Sequence, residues 1–78
     1  MSIIDPELRI ELSLHPYKEF NVLITLKEGC NAESLNLKEF KVIMDNILLA
    51  ELNAGEIYEL ENSNNIISIE KDTEMGIL

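Results

Sequence analysis

The stretch FKVIMDNILLAEL, residues 40–52, admits two readings, and the choice between them decides the fold. The apolar runs 40–44 and 47–52 flank Asp45-Asn46, two residues that tolerate positive φ and suit a tight hairpin turn. The competing reading is one amphipathic helix over 37–52. On a helical wheel, however, Val42, Ile43, Met44, Ile47, Leu48 and Leu49 surround the axis almost completely, and β-branched residues are frequent. The hairpin is the preferred reading.

Downstream, Asn53 is placed to cap a helix over 54–62. Ile57 and Leu60 face inward at i, i+3, and Asn53 with Glu56 has the spacing of a capping box. Ser63-Asn64-Asn65 breaks this helix, and 66–70 reads as the last strand. Upstream, 20–26 is rich in β-branched and aromatic residues and ends at Lys27-Glu28-Gly29. Leu23 falls on the face opposite Val22, Ile24 and Leu26, which predicts a central strand covered on both sides. Residues 30–39 read as a short helix with Asn31 as its cap. Residues 1–19 form an N-terminal arm, either an ordered segment without regular helix or a helix. For the helix, Asp5-Pro6-Glu7 is the start signal, Leu8 and Leu12 share a face, and His15-Pro16 is the stop.

The order is therefore an arm followed by β-α-β-β-α-β. That is an α+β class, a ferredoxin-like antiparallel sheet with helices on one face. Apolar residues alternate on both sides of the strands, so the face without helices is expected to be a binding surface. The predicted division is an arm over 1–19, a domain over 20–72 and an extended tail over 73–78.

Composition narrows the function. Fifteen acidic against six basic residues leave a formal charge of −9, which excludes a phosphate-binding face for nucleic acid and argues against anionic membranes. With 46% hydrophobic residues the chain is not of disordered composition. Cys30 and His15 are the only residues of their types, so no intrachain disulfide and no Cys/His metal cluster is expected, and no cofactor. A chain of this length buries roughly 60–65% of its unfolded surface. A partner is then the remaining source of stability. No basic n-region and no apolar h-region follow Met1, so cytoplasmic synthesis is expected. No set of side chains around His15 forms a Ser-His-Asp triad, and no catalytic residue is assigned.

Residues 52–78 resemble the end of the propeptides of subtilisin-like serine proteases. That pattern is an apolar residue, a short helix with two inward apolar positions, a turn, a V-x-x-V-E-x-D strand and six residues before the cleavage point. Here these are Leu52, Ile57 and Leu60, then Ile66-Ile67-Ser68-Ile69-Glu70-Lys71-Asp72, then Thr73 through Leu78. Residues 20–29 resemble the family's first strand. Between Gly29 and Phe40 the family commonly has a longer helix, and the arm before Phe20 is an addition.

The resemblance implies a prodomain that helps its protease fold and then inhibits it non-covalently. Its sheet would pack on two parallel helices of the protease, with Glu70 and Asp72 capping their N-termini. Its tail would lie in the substrate cleft, cleaved after Leu78, with Leu78 in the first pocket, Ile77 in the second and Met75 in the fourth. Gly76 allows close backbone approach by strand addition. Within the family, a Csp-type germination protease of spore formers is the branch suggested, which would make the site spore-associated. The rival readings are a free-standing proteinase inhibitor of the same fold and a ferredoxin-like regulatory or protein-interaction domain.

Overall fold

The computed structural model describes residues 3–72, and in it the stretch 40–52 is a hairpin. Its strands are β2 (Lys41–Met44) and β3 (Ile47–Asn53), with Met44 directly opposite Ile47 and Asp45-Asn46 as the two-residue turn. The expected positive φ is not used there: among the described residues only Gly29 and Asn36 have it. A turn with negative φ at both residues does not match the right-handed twist of its strands. A bulge between Val42 and Met44 absorbs the mismatch and leaves Ile43 without a partner on β3.

Strand β1 (Glu19–Leu26) lies between β3 and β4 (Ile66–Lys71) in a sheet of order β2-β3-β1-β4, every neighbouring pair antiparallel. With α1 (Pro6–Leu14) and α2 (Ala54–Leu60) this is an α+β architecture compatible with a ferredoxin-like arrangement. The Asn53 cap on α2 is reciprocal. The Glu56 N–H donates to Asn53 Oδ1 at 2.9 Å, and the Asn53 N–H donates to Glu56 Oε1 at 3.0 Å. Ile57 and Leu60 face the core as their spacing requires.

The short helix expected over 30–39 is a single 3-10 turn (Ala32–Leu35), capped by Asn31 and ended by Asn36 in the left-handed region. One turn cannot cover a sheet. The helix that shares that work with α2 comes instead from the N-terminal segment. Asp5 accepts from the N–H groups of Glu7 and Leu8 at 3.1 and 3.3 Å, Pro6 occupies the first helical position, and α1 ends at His15. Ile4, Leu8 and Leu12 are at most 2% exposed and join Val22, Ile24, Leu48, Ile57 and Ile69 in one core. Ahead of α1, Ile3 accepts from the Ile69 N–H at 2.8 Å and the Asp5 N–H donates back to Ile69 at 2.9 Å. Residues 3–5 thereby pair in parallel with β4 and cover its outer edge.

Two ion pairs hold α1 in place. Arg9 binds Glu61 at the end of α2, and Lys71 on β4 binds Glu11 at 2.6 Å. No basic residue occupies the last turn of α2, so Glu61 there opposes the helix dipole, and Arg9 offsets it.

Candidate functional site

Register fixes what each face of the sheet carries. Phe20, Val22, Ile24 and Leu26 of β1 alternate onto the helix-covered face with Leu48, Ala50 and Leu52 of β3. On the opposite face, directly opposed residues form rows across the strands. One row runs Met44, Ile47, Thr25, Ser68. The next runs Lys41, Leu49, Leu23, Glu70. A third sets Glu51 beside Asn21. No described helix packs on these rows. Leu23, Ile47 and Leu49 are therefore only half-buried, although they sit in the middle strands. The result is an apolar centre bordered by Lys41 on β2 and Glu70 on β4, turning polar beyond Leu23.

Glu70 lies on β4, exposed and opposite Leu23 on the uncovered face. Asp72 follows β4 and donates its backbone N–H to the Asn21 carbonyl at 2.9 Å, which continues the strand alternation and sets it on the side of Glu70. A depression of about 350 Å³ passes this corner, lined on the α1 side by Asp5, Glu7 and Glu11 and on the β4 side by Glu70, Lys71 and Asp72. The Lys71 ammonium, hydrogen-bonded to Glu11, holds that carboxyl below its ordinary value, and the positive charges of Lys71, Lys18 and His15 act in the same direction. Glu70 is exposed there, and an exposed carboxylate beside a sheet face suits the N–H groups of a partner.

The four tail positions, Met75, Gly76, Ile77 and Leu78, and the proposed cleavage point at Leu78 lie outside the described residues. His15 caps the end of α1, and Cys30 packs half-buried against the core. Among the described residues no group of three or more His, Cys, Asp or Glu could hold a metal ion, and no helix is long and apolar enough to cross a membrane.

One surface feature escapes the sequence pattern. All four residues of β2 are exposed, and Phe40, Val42, Ile43 and Met44 are 40–60% exposed. Alternation predicts which face a strand residue takes, but only the sheet order shows that β2 is an edge. The signal available was the unbroken Val42-Ile43-Met44 run in so short a strand.

Comparison with family models, curated proteins and solved structures finds no match to this chain.

Proposed function

We propose that this chain is the prodomain of a subtilisin-like serine protease, first assisting the folding of the protease and then acting as its product-like competitive inhibitor. One observation carries the reading: an uncovered apolar sheet face, centred on Leu23, Ile47 and Leu49, with Glu70 and Asp72 together on its β4 side. A flat apolar face accepts a pair of helices, and two carboxylates beside it accept their N-terminal N–H groups. The likeness of residues 52–78 to the family's end pattern names the partner class, and residues 75–78 are the segment assigned to the cleft. The protease, not this chain, supplies the catalytic groups.

The test is an inhibition assay of the full chain against a subtilisin-type protease, where competitive inhibition is expected. Removing Ile77 and Leu78 should weaken it about tenfold or more, because burying each large apolar side chain contributes roughly 1.5–3 kcal/mol. An unchanged inhibition constant removes the tail from the cleft. No effect of the full chain on any subtilisin-type activity would leave a ferredoxin-like interaction domain as the reading.

A further inference from the structure

Two acids flank the same residue of the middle strand. Asn21 of β1 lies directly opposite Glu51 of β3, and on its other side its carbonyl accepts the Asp72 N–H. Glu51 is exposed and stands on the uncovered face, where Leu49 and Ile47 continue its line along β3. Adjacent strands lie about 4.8 Å apart, so the Glu51 and Asp72 positions are separated by about 9.5 Å. That spacing matches the roughly 8–10 Å between the axes of two packed helices. Glu70 and Asp72, by contrast, follow one another along β4, about 6.6 Å apart, and fall to the end of one helix.

We propose that Glu51 receives the N-terminus of the second docked helix, as Glu70 and Asp72 receive that of the first. Within the inhibitory reading, on which this rests, each of the two helices then has its own carboxylate. Two lines of side chains on the face support the assignment. Along β3 the line is Glu51, Leu49, Ile47, and along β4 it is Asp72, Glu70, Ser68. Both lines carry acid at the same end, beside the start of β1. A helix N-terminus offers unpaired N–H groups and partial positive charge, whereas a C-terminus calls for a basic residue. Acid at one end of both lines therefore selects helices that run parallel.

The apolar part of each line falls where a helix body would lie. From Glu51 to Ile47 the line spans about 13 Å, which about nine helical residues cover. Leu23, on β1 between the two lines, falls beneath the groove where the helices meet. Asn53, the next residue on the β3 line, is already engaged as the cap of α2. Glu51 is thus the last side chain of that line able to serve a partner.

Inhibition constants of the full chain and its variants against a subtilisin-type protease, at low ionic strength, test the assignment. Glu51→Gln should raise the constant about fivefold, with an unchanged circular dichroism spectrum. Glu59→Gln removes the same charge from the exposed side of α2 and should leave the constant within about twofold. Glu51→Gln combined with Glu70→Gln should multiply the two single losses, because acids at separate helix ends act independently. An unchanged constant for Glu51→Gln, while the unaltered chain inhibits, overturns the proposal and leaves the inhibitory reading standing. So does an equal loss from Glu59→Gln, or a double variant no weaker than either single one. An unaltered chain that does not inhibit removes the inhibitory reading and this assignment with it.

Discussion

Glu11 and Lys71 show how a single contact ties the N-terminal helix to the sheet. Lys71 lies opposite Val22 on the helix-covered face, so its ammonium reaches α1 and not the open side. Because the hydrogen bond and the nearby positive charges lower the Glu11 pKa below 4.5, the ionised carboxylate favours the folded state. That contribution is present above pH 4.5 and is lost as pH falls through the lower, folded-state pKa. Lys71→Met should bring the Glu11 pKa back toward its ordinary value in a carboxyl NMR titration, and should flatten the pH dependence of stability in the acid range. A Glu11 titration that does not respond to Lys71→Met would assign the shift to another cause. Both side chains are about a third exposed, so the effect belongs to the pH profile more than to overall stability.

At the scale of elements, the weight carried by α1 is the main structural result. Its Leu8 and Leu12 are fully buried while Ile10, on the other side of the same helix, is 60% exposed. Leu12→Ala should therefore destabilise the protein by about 2–5 kcal/mol in urea denaturation, whereas Ile10→Ala should change it by less than about 0.5 kcal/mol. Equal effects would mean that α1 does not pack as described. The helix was one of two readings the sequence left open: Asp5-Pro6-Glu7 is a local start signal and Leu8 and Leu12 share a face, but so short a stretch does not exclude an irregular arm. Its role in the core was not legible, because spacing within a helix does not say what that helix packs against. The hairpin was legible for a similar local reason, two turn residues between apolar runs. Its bulge at Ile43 was not, since the bulge answers a twist mismatch set by the φ values of Asp45 and Asn46. Residues 30–39 carried a correct cap, Asn31, but too few apolar positions to fix more than one turn. The uncovered face followed from the element order, which sets the helices on one side; the expectation of a β1 covered on both sides was wrong, since no described helix packs over Leu23. The open edge at β2 did not follow, because edge status is a property of strand order and no local pattern encodes it.

The whole molecule joins a small core to a large negative charge and has no covalent staple, with Cys30 as its single, free cysteine. Like charges spread over so small a body repel, so the lone chain should gain thermal stability when salt is raised. The uncovered sheet face adds a second cost, since Leu23, Ile47 and Leu49 remain in contact with water unless a partner covers them. If that partner is the protease of the inhibitory reading, binding to the folded state alone must shift the unfolding equilibrium. At a partner concentration about 100 times the dissociation constant the gain is about 2.7 kcal/mol. For a domain of this size each kcal/mol raises the melting temperature by roughly 4–8 °C, so a rise of about 10–20 °C is expected. Scanning calorimetry of the chain, alone and with a catalytically inactive subtilisin-type protease, measures it. Replacing Glu70 and Asp72 together by Gln and Asn should shrink the rise while leaving the melt of the lone chain nearly unchanged. A lone chain that melts cooperatively above about 90 °C would contradict a fold completed by its partner. A double variant with an undiminished rise would remove the two acids from the contact and leave the apolar face to carry it.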